Sequence, residues 1–281
     1  MSLSHVEVDV AHRAPARRRR RGRMLLVLVA LAVLVVLAGS GRGAWGWTAS
    51  VPSLAPADAA DAPLGRPVPA PVGHGGYVLL HPRGGVAGGP VRWDPCRPIH
   101  VVVRRAGEPE VGEDAVSWAL WRLSTVTGLR FVRDPDTDEA PSPRRPAMDR
   151  PRYGDRWSPV LVAWTDPREY PAMTGHAGLG GPVGTRAGRW HLPWERPPEY
   201  YVSGSVLLNA DHLGEVQHWP QGRDRIRAVV LHEFGHLLGL DHVQDASALM
   251  APTPGTTSFD LGEGDTRGLV ALSQGPCVRA P

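Results

Sequence analysis

One stretch limits what this chain can fold into more than any other. It is RIRAVVLHEFGHLLGLDH, residues 225–242, and inside it sits HEFGHLLGLDH. Residues four apart share one face of a helix, so His232 and His236 present two imidazoles to a single point. Gly239 can end the helix there, because glycine enters the left-handed backbone region without a side-chain clash. The turn this permits brings His242 back as a third nitrogen ligand. Three protein nitrogens with a fourth position left open are the pattern of a catalytic zinc site rather than a structural one. Glu233, next to the first ligand, can accept a proton from water activated at the metal. A buried helix with incidental histidines is the bland alternative. Three imidazoles and a carboxylate in such a helix would be costly without a metal to satisfy them.

That helix needs a domain around it, and the rest of the chain supplies one. With 281 residues, 42% hydrophobic and 21% charged, there is material for one sizeable domain plus extensions, and 33 Gly and 29 Pro make the chain rich in loops. The sequence PIHVVVR (98–104) predicts a first strand. Residues 112–127 predict a helix, with Val116, Ala119, Leu120, Leu123 and Val126 at helical spacing and Gly128 as its stop. Strands are predicted at 129–133, 159–164 and 201–209, the last as a hairpin partner of the Gly-rich segment before it. A polar loop spans 134–158. Asp224 is placed to cap the central helix, and a short last helix spans 262–274. The fold class read from this order is α+β: a twisted mixed sheet, a helix behind it, the histidine-bearing helix, and a small C-terminal part.

The first 90 residues differ in character. Seven of the arginines lie in residues 1–23 against Glu7 and Asp9, so this tail carries +5 of a formal net +3 and leaves the remainder slightly acidic. The basic pI therefore says nothing of nucleic-acid binding by the folded part, and no nucleic-acid partner is expected. Residues 24–41 begin with an unbroken apolar run and would span about 27 Å as a helix, barely a membrane crossing. Two readings stay open. It is a transmembrane signal anchor, with the arginines held in the cytoplasm, or a signal peptide cleaved near Ala38-Gly39-Ser40. Both put the histidine helix outside the cell, either on a single-pass membrane protein or on a secreted one. Residues 42–90, rich in Ala, Pro and Gly, read as a linker, with a short strand near 77–80. The folded domain is then expected over 91–281. Two cysteines, Cys96 and Cys277, cannot build a four-cysteine metal site. In an exported chain one disulfide is the simplest reading, and a thiol that plugs the metal is the alternative.

HEFGHLLGLDH followed by Ala248-Leu249-Met250-Ala251-Pro252 resembles the metzincin zinc peptidases, whose signature joins this extended motif to a methionine turn. Within that clan, RWDPCRPIHVVV, PVLVAW, YVSGSVLLN and GDTRGL look most like bacterial, actinobacterial-type matrixins, over about residues 91–281. The resemblance implies a zinc metalloendopeptidase acting on proteins or peptides, expected as a monomer, with His232, His236 and His242 on one zinc ion and Glu233 as general base. Met250 becomes the Met-turn methionine beneath the metal, and the S1′ pocket falls in the loop 251–262. The chain departs from better-known branches in three ways. Val243 stands where animal matrixins carry serine, residues 251–281 hold no tyrosine to serve as an extra ligand, and WDPC (93–96) is not the cysteine-switch motif. Family members also bind a second zinc and calcium. His176, His191, Asp211 and His212 are the candidates here, but their spacing does not reproduce the family pattern. Substrate binding beside an edge strand is expected, with GHAGLGGP (175–182) as that edge. Two other functions fit some features of the motif: a non-catalytic membrane-tethered zinc-bearing binding module, and a zinc hydrolase of a non-peptide bond.

Overall fold

Val160 to Trp164 are five consecutive buried residues with no alternation, which is the signature of a strand covered on both faces. The computed structural model, which describes residues 59–73, 75–186, 197–252 and 258–278, places that strand at the centre of a five-stranded sheet. In chain order the strands are β1 (Val78–Leu79), β2 (Ile99–Arg104), β3 (Phe131–Arg133), β4 (Val160–Thr165), β5 (Gly178–Arg186), β6 (Glu199–Asn209) and β7 (Leu240–Asp241). The helices are α1 (Gly112–Thr127), α2 (Arg150–Tyr153), α3 (Ala210–Val216), α4 (Gly222–Leu238) and α5 (Glu263–Ser273). The large sheet runs β3-β2-β4-β6-β5. Its first four strands are parallel, and β5 is antiparallel along one edge.

The pleat sorts side chains to two cores. Val160, Val162 and Trp164 join the larger core, which also holds the apolar faces of α1 and α4. Leu161 and Ala163 point the other way, to a smaller cluster with Val102, Met173 and Leu207. Helix α1 buries Ala115, Val116, Ala119, Leu123 and Val126, a stripe three and four residues apart. It stops at Gly128, whose φ of 68° is left-handed and whose N–H donates to Ser124 O at 2.9 Å. Helix α4 is buried on several sides through Ile226, Val230, Leu231, Phe234, Leu237 and Leu238, so it lies inside the domain. Arg227 on α4 makes two 3.0 Å hydrogen bonds to the Asp114 carboxylate on α1, which fixes the register of the two helices.

The mixed sheet, the central helix and the C-terminal helix follow the α+β expectation, with three differences. Asp224 does not cap α4. The cap position is Gln221, held at a φ of 58°, and Asp224 sits in the first turn, where its charge still favours the helix dipole. The loop 134–158 contains α2, started by the Asp149 carboxylate, which accepts from Arg152 N–H. The third difference concerns the stretch expected as linker. Its described residues belong to the same compact unit as the rest of the domain. Ala60 and Leu64 donate backbone hydrogen bonds to Cys96 O and Pro95 O, Val68 donates to Val126 O, and β1 pairs with β7. An extended Pro-rich chain makes no internal hydrogen bonds, so its remaining N–H groups are available to any nearby carbonyl. Composition reveals the extension and not the surface it lies on. The basic tail and the apolar segment 24–41 lie outside the described residues. Among the described residues no helix is long and apolar enough to cross a membrane.

Cys96 and Cys277 form a disulfide across 181 residues of sequence. In the chain-entropy account a loop of that length stabilises by about 5 kcal/mol. The double variant Cys96→Ser/Cys277→Ser is therefore expected to lose up to about 5 kcal/mol in reversible urea unfolding. Unchanged midpoint and slope would show that the bond does not constrain the unfolded chain.

Candidate active site

His232 and His236 project from one side of α4, a single turn apart. Gly239 ends the helix with a φ of 113° and donates its N–H to Gly235 O and His236 O, at 3.2 and 3.0 Å. The chain then runs extended through β7 and returns His242 to the other two. The three Nε2 atoms stand 3.1 Å (His232–His236), 3.2 Å (His232–His242) and 3.1 Å (His236–His242) apart. Nitrogens 2.0–2.1 Å from a tetrahedral zinc would be about 3.3 Å from each other, so these atoms form one face of such a tetrahedron. The far side of two rings fixes their tautomers. His232 Nδ1 lies 2.7 Å from Leu249 O and His236 Nδ1 lies 2.9 Å from Leu240 O. A carbonyl only accepts, so each Nδ1 carries the proton and each Nε2 keeps its lone pair for a metal. Burial lowers the pKa of His232 to about 4 and also lowers that of His236, which keeps both rings neutral. The cluster His232, His236 and His242 fits a zinc site.

Glu233 points into the same cleft and is 7% exposed. Burial raises its pKa to about 8, and the Gly180 N–H, bonded to the carboxylate, works in the opposite direction. Strand β5 produces this burial. A Cβ on Gly178 would lie 2.6 Å from Glu233 Cγ, and one on Gly180 would lie 2.1 Å from Glu233 O. The glycines of GLGG therefore do allow a second backbone to approach closely, as expected, but that backbone is the domain's own helix. The side of β5 not paired with β6 is the sheet edge, and residues 175–180 line a cleft of about 730 Å³ with the three histidines, Glu233, Asn209, His212 and Pro252.

Met250 is 1% exposed, and its Sδ would be 2.5 Å from a Cβ on Gly235, so the turn 248–251 sits directly under α4. Val243 donates to Met250 O at 2.9 Å and is itself buried in the core. Reading the sequence missed Asp265. Its buried carboxylate accepts from Leu249 N–H at 3.0 Å and Gly262 N–H at 2.9 Å, holding the residue whose carbonyl orients His232. The available signal was an aspartate flanked by small residues at a helix start, GEGD. His176 and His212 line the same cleft and, among the described residues, form no second ligand cluster. Asp211 is an exposed ion-pair partner of Arg168, and His191 lies outside the described residues. Among the described residues the other ligand-like group is Asp94, Cys96 and Cys277, whose sulfurs are joined to each other. A second zinc or calcium gains no support there. Residues 253–257 of the expected S1′ loop also lie outside the described residues.

The family model Matrixin (Peptidase_M10) matches residues 188–273, which contain the tripod, Glu233, Met250 and Asp265. Matrilysin of Felis catus is 37% identical over 188 residues, which cover 60% of this chain and 66% of matrilysin. The chain is a matrixin-like metzincin. Matrix metalloproteinase-20 of Homo sapiens is 36% identical over 77 residues, 26% of this chain, and macrophage metalloelastase of Oryctolagus cuniculus is 39% identical over 75 residues, 25% of this chain. This metzincin spans only 16% of the length of each of those two relatives and just under two thirds of matrilysin.

Two predictions come from this geometry. Replacing Gly180 with Ala puts a methyl group into the α4 backbone, which cannot swing aside. We expect Tm to fall by several degrees and Glu233 to be displaced, with both effects larger than in Gly181→Ala, where a Cβ meets nothing. Equal behaviour of the two variants would show that the strand yields without cost. The second concerns pH. Burial lowers the His232 pKa from its ordinary 6.5 to about 4, so between those values the unfolded chain holds more protons. Its contribution to metal-free stability is full above about pH 6.5 and is lost as pH falls towards 4. Glu233, with its pKa raised to about 8, acts in the opposite direction over the same range, so the test uses chelator-stripped Glu233→Gln protein: it should melt several degrees lower near pH 5 than near pH 7, and a flat profile in it would contradict a buried neutral His232.

Proposed function

We propose that this chain is an extracellular zinc-dependent endopeptidase that hydrolyses peptide bonds in a substrate laid along the free edge of β5. The observation that carries the reading is the position of Glu233. It is a buried carboxylate in the same cleft as three nitrogen lone pairs aimed at one point. Zinc held by His232, His236 and His242 would polarise the scissile carbonyl and acidify the attacking water. Glu233 then takes the proton of that water and delivers it to the leaving amine. Its burial suits both halves of this task, because a carboxylate with a raised pKa holds the proton long enough to hand it on. A cation at the tripod works against that rise and keeps the resting group ionised. The edge of β5 offers backbone donors and acceptors in a row, so an extended peptide can add to the sheet as a further strand.

Action outside the cell rests on two sequence features and one structural one. The basic tail followed by the apolar segment 24–41 directs export, and the Cys96–Cys277 disulfide belongs to an oxidising compartment. The segment either holds the enzyme at the membrane or is removed on secretion. N-terminal sequencing of the mature protein decides between these. Names of relatives such as matrilysin agree with a peptidase and assign no substrate to this chain.

Glu233→Gln should cut peptide hydrolysis by about 10²–10⁴-fold while zinc content stays at one ion per chain. Wild-type protein should cleave an unfolded protein and leave purified cell wall intact. Full activity in the variant would remove Glu233 from the mechanism, and cell-wall cleavage without proteolysis would favour the non-peptide hydrolase.

A further inference from the structure

Residues 75–80 cross the domain as a strap, and what they touch is the connection that delivers the third histidine. Val78 pairs with Asp241 and Leu79 with Leu240 in the β1–β7 ladder, and Leu80 N–H donates to Gly239 O at 2.9 Å. Each residue between the end of α4 and His242 therefore has a strap residue as its backbone partner. Leu79 packs against the core, whereas Tyr77 is 39% and Val78 45% exposed. The strap is seated by that one side chain together with backbone pairing and a close fit on α5. A Cβ on Gly264 would come within 2.3 Å of Gly76 O, and one on Gly268 within 2.9 Å of Tyr77 Cβ. Arg267 also hydrogen-bonds Gly75 O.

On its other side the connection is tied to the tripod. Leu240 O takes the Nδ1 proton of His236 at 2.9 Å, and Asp241 Oδ1 accepts from His242 N–H at 2.7 Å. A two-residue ladder has little stability of its own, and the extended residues 240–241 would have no strand partner among the described residues without β1. We infer that the strap 75–80 is a positioning element for the metal: by pairing with Gly239, Leu240 and Asp241 it holds the His236 acceptor and the approach of His242 in place, so zinc retention depends on residues about 160 positions upstream of the motif. The inference rests on the zinc reading of the tripod. It does not require the peptidase reaction.

The test uses the full chain with its disulfide formed. Leu80→Pro deletes the N–H given to Gly239 O, and Leu80→Ala keeps it while shortening a side chain that lines the cleft. Zinc affinity is read by competition with a chromophoric chelator, and ligand geometry by the visible absorption of the cobalt(II)-substituted protein. Partners that orient metal ligands typically matter by 10–100-fold in affinity. Leu80→Pro is expected to weaken zinc binding by about that factor and to perturb the cobalt bands, with Leu80→Ala within about threefold of wild type. If Leu80→Pro does not fold, Gly264→Val levers on Gly76 from the α5 side and carries the same expectation. A folded variant with unchanged zinc affinity and cobalt spectrum overturns the inference, as does an equal loss in Leu80→Ala, which would assign the effect to side-chain packing. A wild-type chain that holds no zinc overturns the tripod reading itself, and is recognised by that result alone.

Discussion

Three imidazole lone pairs converging within 3.2 Å of one another repel, and the helical spacing and glycine turn of HEFGHLLGLDH bring the rings near without fixing their orientation. Everything else around the cleft can be understood as the means of holding them there. Two carbonyls, Leu240 O and Leu249 O, take the outer ring protons and so choose both tautomer and orientation. Each carbonyl is held in turn. Leu240 is paired into β7, and Leu249 hangs by its amide from the buried Asp265 carboxylate. The metal end of the molecule is thus a set of backbone groups, each in contact with an element distant in sequence: α5, β1 or the turn 248–251.

The same arrangement explains why small residues gather here. Gly178 and Gly180 let β5 press on α4, Gly235 makes room for Met250, and Gly264 and Gly268 admit the strap onto α5. At each of these positions a methyl group would push neighbouring layers apart. The cost of this tight packing is sensitivity: errors of an ångström in any layer reach Glu233 or a histidine. The gain is a carboxylate buried beside the metal position with only a backbone amide to oppose its desolvation.

How much of this was legible in the sequence depends on which atoms do the work. Helix α1 and strand β4 were readable almost to the residue, because periodicity and continuous burial are side-chain signals. His232, Glu233 and His236 could be placed in one cleft from their helical spacing, and His242 from the glycine turn before it, because the signal lies in side chains. The orienting groups were not, since Leu240 and Leu249 act through carbonyls that every residue possesses. Asp224 looked like a cap, but the preceding Gln221-Gly222 turn started the helix three residues earlier. The Gly-rich stretch 175–182 announced a close approach without saying whether a substrate or the protein's own helix would make it. The stretch 59–90 announced an extended chain, and its docking on Cys96, Val126 and β7 is a tertiary fact with no compositional trace.

The disulfide has a geometric corollary. Ala60 N–H bonds the carbonyl of Cys96, and Cys277 Sγ, joined to that same cysteine, lies 3.5 Å from Asp61 O. The start of the described chain and its exit after α5 are therefore neighbours on one patch of surface. A short peptide bridging those two points would close the domain into a ring.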